Sequence, residues 1–408
     1  MPLPAPSSLA VHWTLDPSRV FLNHGSFGAT PRVVLEAQAR LRAELESEPV
    51  RFYVERHWGL MARARAALAA FVRCDPADLA LVPNASIGVA TVLANVRLGP
   101  GDEVLMNAHE YPACQNSVRR AAARAGATVT LADVPFPISD PAQVVEAYLA
   151  KVTPRTRLAL VSHVTSPSGL VLPVERLVPA LQGAGVDVLV DGAHAPGMIR
   201  GLDVGALRPA YYTANCHKWI CSPKGSAMLV VREDRREGFR PLALSNNAEM
   251  PRADRSAFHT EFDYVGTQDY TPMYAIPDAI EAMAKIGGSW DAVMAGNRAL
   301  CLRMREMLCR AWGVEAPAPE SMIGSIATII LPAHDEARRA RLAARPTRYH
   351  DALQDALLDR HAVQVPVWSL AGTTHRFLRI SAQVYNAPGQ YEYLAQAVLE
   401  ELERERTL

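Results

Sequence analysis

The stretch "RLALVSHVTSPSGLVLPVERLVPALQGAGVDVLVDGAHAPG", residues 157–197, decides the class of fold. Two apolar runs, "RLALVSHV" (157–164) and "VDVLVD" (186–191), stand on either side of a helical stretch at 174–184. A strand that is apolar without alternation has both faces covered, and a helix between two strands is the crossover that parallel pairing requires. The same alternation continues outward. Before it lie "LALV" (79–82), a helix from Ser86, "EVLMN" (103–107), a helix after Pro112, "TVTLADV" (128–134) and a helix at 142–152. After it lie "AYYTAN" (210–215) and "SAMLVV" (226–231). The implied architecture is α/β, a large and mostly parallel sheet with helices on both faces, whose ligands sit beyond the carboxyl ends of the strands.

The flanking regions read differently. Arg32 to Arg73 is helical, Ala- and Arg-rich, with an interruption at "SEPVR" (47–51). From Arg235 to Thr271 polar and turn residues prevail. From Trp290 a smaller α+β unit is expected: a helix at 290–312, "SIATIIL" (325–331), a helix at 348–359, short strands near 363–366 and 376–380, and a terminal helix at 390–405.

With 408 residues, 49% apolar and 21% charged, the chain can bury one large core and a smaller one. Its 42 basic and 42 acidic residues cancel, so no charge footprint for nucleic acid or an anionic membrane is present, and a small molecule is the expected partner. No apolar run reaches the roughly 18 to 20 residues that span a bilayer, and "MPLPAPSSLAVHW" (1–13) lacks the pattern of a signal peptide; a cytoplasmic protein is expected. Six cysteines without a CxxC pair fit reduced, buried thiols better than disulfides or a metal site.

Three strand ends carry chemistry. "VLVDGAHAPG" (188–197) puts Asp191 and His194 directly after a strand. "YYTANCHKWICSPKG" (211–225) sets Lys218 among aromatic, cysteine and small residues, in a chain with only four lysines. "VPNASIGVA" (82–90) places Asn84, Ala85 and Ser86 at a helix start. Each alone has an ordinary reading: a snorkelling lysine, a turn aspartate, an N-cap. Together they suggest a site for a phosphorylated aromatic aldehyde, with a carboxylate to keep a pyridine nitrogen protonated, an amine to bond the aldehyde and backbone amides to hold the phosphate.

With "FLNHGSFGATP" (21–31), "SHVTSPSGLVLPV" (162–174), "GTQDYTP" (266–272) and "RISAQVYN" (379–386), these motifs resemble the class V aminotransferase family of pyridoxal-phosphate enzymes, and within it the isopenicillin N epimerase-like branch. The resemblance extends from about Phe21 to about Asn386. It implies the aspartate aminotransferase-like fold type I, with an N-terminal segment and substrate-closing loop (1–30), a large pyridoxal-phosphate domain (31–271) and a small C-terminal α+β domain (272–408). Residue by residue, it makes Lys218 the Schiff-base lysine and proton carrier, Asp191 the partner of the ring nitrogen and His194 a donor to the ring hydroxyl. Ala85, Ser86, Asn215 and His217 match phosphate contacts, and Thr267 matches a residue that reaches the phosphate across a homodimer interface. Arg379 matches the arginine for the substrate α-carboxylate, and Asn23, His24, Gly25 and Ser26 the loop that closes on it. Tyr111 stands where related enzymes stack a ring on the cofactor, and Ser166 where cysteine desulfurases carry an asparagine.

These features specify amino-acid chemistry at Cα without choosing its outcome. The branch favours an epimerase or racemase, which calls for a second acid opposite Lys218; Tyr111, His24 and His375 are candidates. A carbon–sulfur β-lyase needs no such acid, and an aminotransferase is a third outcome. A desulfurase is disfavoured, because the loop "VPVWSLAGTTHRFL" (365–378) has no cysteine. A catalytically silent cofactor-binding protein sits poorly with Lys218, Asp191 and Arg379 together, and a nucleotide-binding protein with the lack of an early GxGxxG; "PKGS" (223–226) lacks the upstream glycine of a P-loop. Arg51, Tyr53, Arg56, Arg252, Arg255 and Phe258 would suit a second anionic group on the substrate, or an interface.

Overall fold

The computed structural model describes residues 2–250, 252–369 and 375–407. Its strands, in chain order, are β1 (Val20–Phe21), β2 (Leu79–Val82), β3 (Glu103–Asn107), β4 (Thr128–Ala132), β5 (Thr156–Ser162), β6 (Asp187–Asp191), β7 (Tyr211–Asn215), β8 (Ala227–Val231), β9 (Ile326–Ile330), β10 (Val363–Gln364), β11 (Val367–Ser369) and β12 (Arg376–Ser381). Seven of them form one sheet in the order β2-β8-β7-β6-β5-β3-β4. Only β8 runs against its neighbours; the pairs from β7 to β4 are all parallel.

The unbroken apolar runs have the expected cause. Leu158, Leu160 and Leu189 face one buried layer, with Val104 and Met106, while Ala159, Val161, Val188 and Val190 face the other. Successive side chains point to opposite faces, so burying both layers requires every position to be apolar. Each such leucine or valine contributes about 1.5–3 kcal/mol relative to exposure.

The sheet order reverses between β3 and β5: β4 lies outside β3 on one side, and β6 and β7 follow β5 on the other. Adjacent crossovers part there and leave a crevice at the strand ends. Asn107, Ser162, Asp191 and Asn215 are the last residues of four neighbouring strands. A second, antiparallel sheet, β11-β12-β9, pairs Arg379 of β12 with Thr328 of β9. The N-terminal segment is stitched to this half of the chain: β1 pairs with β10, and Ser381 N–H donates to the Leu22 carbonyl (2.9 Å).

Helices Ala257–Asp263, Ile276–Ile286 and Glu336–Ala343 were not expected. The helix expected at 348–359 runs instead from Ala352 to His361, because the Asp351 side chain caps it by accepting from Leu353 N–H. The expected strand at 363–366 is two short pieces, β10 and β11. No helix of the described residues is long and apolar enough to cross a membrane.

Candidate active site

Asp191 ends β6 and is 3% exposed. Its Oδ1 accepts from Ala193 N–H (3.0 Å) and its Oδ2 from the Cys114 thiol (3.3 Å). Burial raises its pKa, and the Lys218 charge opposes the shift. Lys218 lies three residues beyond β7, half-buried, and desolvation brings its amine down to about 8, with Arg379 adding to the effect. An amine so placed is in part uncharged near neutral pH, as a proton acceptor must be. Its Nζ lies 3.1 Å from His194 Nε2.

The lysine loop is held by its backbone. Cys221 N–H donates to the Lys218 carbonyl (3.1 Å), and Cys221 itself adopts φ 61°, a left-handed conformation costly for a side-chain-bearing residue. Gly28, at φ 71°, lies so close that a Cβ there would stand 2.0 Å from the His217 carbonyl oxygen. His24 bonds the same carbonyl of Lys218 through Nε2 (3.0 Å), while its Nδ1 meets the Tyr385 hydroxyl (2.8 Å). Burial holds His24 down to about 3. Both its ring nitrogens are occupied, and His24 braces the lysine loop.

The rest of the 23–26 loop does adjoin Arg379. Arg379 Nη2 donates to Ser26 Oγ (3.1 Å), whose hydroxyl donates to Asn23 Oδ1 (2.6 Å), and Gly25 N–H donates to Ser381 Oγ (3.0 Å). Arg379 Nη1 donates to the Ser166 backbone carbonyl (2.5 Å). The guanidinium is 3% exposed, lies over the Trp368 ring at 5.2 Å, has no acidic partner among the described residues, and leaves its Nε without any acceptor. Burial lowers its pKa to about 10, so it remains charged at neutral pH. A buried, unpaired cation is a costly feature that a bound carboxylate relieves.

At the helix Ala85–Asn95 the arrangement departs from expectation. The Ala85 amide donates to Asn215 Oδ1 (2.9 Å) and the Ile87 amide to the cap residue Asn84 (2.9 Å). Ser86 retains its amide and hydroxyl without an acceptor among the described residues, so an anion at this helix start would be held by Ser86, with Asn215 buttressing the turn. His217, lowered to about 4 by burial and the Lys218 charge, adjoins through a 3.3 Å contact of Nδ1 with the Ser226 carbonyl. A buried carboxylate for a ring nitrogen, a half-buried amine, a free helix-start amide and an unpaired guanidinium fit pyridoxal 5'-phosphate carrying an amino acid.

Other expected residues are placed apart. Tyr111 caps the helix Pro112–Ala125 whose Cys114 touches Asp191, and its ring is 44% exposed. Thr267 contacts the Tyr264 hydroxyl (3.0 Å) and none of the Lys218 cluster. His375 stacks edge-on with Phe377 (6.3 Å), while residues 370–374 of its loop lie outside the described residues. The arginines read as suited to a second anionic group are already paired: Arg51 with Glu55, Arg56 with Glu44, and Arg252 and Arg255 with Asp254. Arg252 and Arg255 also lie over the Trp58 ring, at 4.9 and 4.4 Å, Phe258 is buried in the core, and the Tyr53 hydroxyl donates to the Gln268 carbonyl (2.7 Å).

Glu110 is the residue that sequence reasoning missed. Fully buried beside the β3 and β5 ends, it accepts from Asn107 Nδ2 (2.7 Å), Ser162 N–H (3.1 Å), the Tyr148 hydroxyl (3.2 Å) and the Ser162 hydroxyl. Desolvation first, and then the Asp191 charge, push its pKa up to about 8 despite these donors. An acid whose folded pKa exceeds its unfolded value binds more protons folded, so stability falls as pH rises from about 4.5 to about 8. Glu110→Gln therefore gains on the wild type by roughly 2–3 kcal/mol between about pH 6 and pH 8 in denaturant titrations. Parallel pH profiles for the two proteins would refute the assignment.

Comparison with known proteins agrees with this geometry. Residues 20–387 match the family model "Aminotransferase class-V". The chain is 33% identical over 401 residues to the isopenicillin N epimerase of Amycolatopsis lactamdurans, covering 95% of this chain and 96% of that one. It is 30% identical over 404 residues to a putative L-cysteine desulfhydrase of Oryza sativa subsp. japonica, covering 92% and 82%. Among solved structures, the cystine C–S lyase C-DES with cysteine persulfide superposes with a TM-score of 0.74 at 22% identity, over 94% of this chain and 97% of that one.

Proposed function

From a chain that belongs to the class V aminotransferase family, whose cofactor is pyridoxal 5'-phosphate, we propose a carbon–sulfur β-lyase acting on cysteine or a cysteine conjugate. The cofactor, when bound, supplies the electron sink for a carbanion at Cα. The Arg379 guanidinium binds the α-carboxylate and, with the 23–26 loop, fixes which Cα bond faces Lys218. The Lys218 amine takes the Cα proton, and the sulfur leaves with the Cβ–S electron pair; hydrolysis then yields pyruvate and ammonia.

The observation that carries the choice of outcome is the state of His24. Of the three candidate second acids, Tyr111, His24 and His375, His24 is the buried one, and both its ring nitrogens are taken. Elimination runs with Lys218 alone, whereas inversion at Cα calls for a second proton carrier. A second reading, epimerisation, draws on the exposed Tyr111 ring and on the epimerases matched over nearly their whole length. A homodimer belongs to the same proposal: Thr267 would reach the phosphate held by the second copy, and the apolar side chains of Phe27 and Val50, each 72% exposed, suit cover by it.

Proton NMR of the cofactor-loaded protein in D2O with cysteine, cysteine S-conjugates and an aminoadipyl peptide tests it. Pyruvate and a released thiol are expected. Deuterium at Cα with conserved substrate and loss of optical purity would replace the lyase with an epimerase.

A further inference from the structure

We propose that Trp219 is a positioning residue that locks the tautomer of His194 and so sets the sign of its interaction with Lys218. The inference rests on the reading that Lys218 is the working amine, and its test is separate from turnover. The Trp219 indole N–H, 3.3 Å from His194 Nδ1, is a donor with no acceptor capacity, so Nδ1 must accept. Burial and the surrounding cations keep the imidazole neutral, and a neutral imidazole that accepts at Nδ1 carries its proton on Nε2. That Nε2–H faces Lys218 Nζ at 3.1 Å. The amine can receive this bond only through its lone pair, as an uncharged group. The opposite tautomer would offer Nε2 as an acceptor and favour the ammonium form instead.

The surroundings hold the indole to this one partner. Trp219 is 1% exposed and packs with Val164, Met198 and Ile326, and the His24 ring lies 4.8 Å from its own. Gly197, at φ 83°, docks the 192–197 turn onto the Trp219 backbone; a Cβ there would stand 2.7 Å from the Trp219 carbonyl. The turn that carries His194 and the loop that carries Lys218 thus meet at the tryptophan. The charged or titratable groups facing His194 are Lys218 and His217 from the lysine loop, Arg379 from β12 and His24 from the 23–26 loop, all of which disfavour a second proton; Asp191 of β6 acts on Lys218.

The test is nitrogen NMR of the holoenzyme labelled with 15N-histidine, the His194 signals being assigned with His194→Gln. In the wild type, Nε2 is protonated and Nδ1 is not, without change between about pH 6 and pH 9. Two replacements remove the donor: Trp219→Phe, and benzothienylalanine at the same position, which keeps the indole shape and lacks the N–H. In both the proton spreads to Nδ1, and the pH midpoint of the lysine-linked cofactor absorption band rises by about one unit. A wild-type His194 protonated on Nδ1 overturns the proposal. So does an unchanged tautomer and midpoint in the benzothienylalanine protein. Failure of every amino acid to react, with the tautomer results intact, overturns the proposed function alone.

Discussion

Lys218→Ala lowers kcat for the amino-acid substrate by about 10⁴-fold or more, because it removes the amine that in the proposed function both bonds the cofactor and carries the Cα proton. Cofactor still binds through the phosphate and ring contacts, but its absorption no longer responds to borohydride as a lysine adduct. Lys218→Arg fails equally. A guanidinium has no lone pair to offer and no accessible neutral form, and the half-buried position that brings the lysine amine down to about 8 cannot do the same for it. Added methylamine restores part of the alanine variant's activity, since the cavity left is the size of a small amine and Asp191 and His194 are untouched. Single-turnover rates with and without the amine check the prediction, and retention of more than about a hundredth of wild-type kcat in Lys218→Ala would place the base elsewhere.

Arg379→Leu produces two effects of opposite sign. KM for the amino acid rises by roughly 10²- to 10³-fold, the loss of a buried, charge-assisted carboxylate contact. The substrate-free protein becomes more stable by about 1–3 kcal/mol, because an unpaired buried guanidinium, one nitrogen of which has no acceptor, is replaced by an apolar group over Trp368. A structural arginine would show the reverse: lost stability and a KM that barely moves. Arg379→Lys keeps the charge and loses the planar fork, and falls between wild type and leucine in KM. Denaturant midpoints and steady-state kinetics on the same preparations separate these outcomes.

The legible parts of the molecule are those where a residue type conflicts with its neighbours. Lys218 stood out in an arginine-rich chain, and Asp191 and His194 because they follow a run that only a doubly buried strand explains. What stayed hidden depends on convergence in space. Glu110, in "HEYPA" (109–113), reads as an ordinary loop acid until Asn107, Tyr148 and Ser162 close around it from three elements. His24 reads as a site residue from its loop, and its contacts with the distant Tyr385 and the Lys218 carbonyl, which add a bracing role, appear only in the fold. The helix Ile276–Ile286 was masked by Pro277, which acts as a breaker within a helix and is at home in its first turn. The arginines at 51, 56, 252 and 255 could not be seen as paired without the fold.

The stitching of β1 to β10 also sets an order of assembly. Asn386 Nδ2 donates to the Phe21 carbonyl across a separation of 365 residues, and the Tyr385 hydroxyl reaches His24 across 361. A chain made from its N-terminus outward has its sheet, with Asp191 and Lys218, complete long before those partners emerge. The half of the site that holds the cofactor in the proposed function is therefore built first. The half that grips the substrate's carboxylate in the proposed function, the 23–26 loop with Arg379, closes only as synthesis ends.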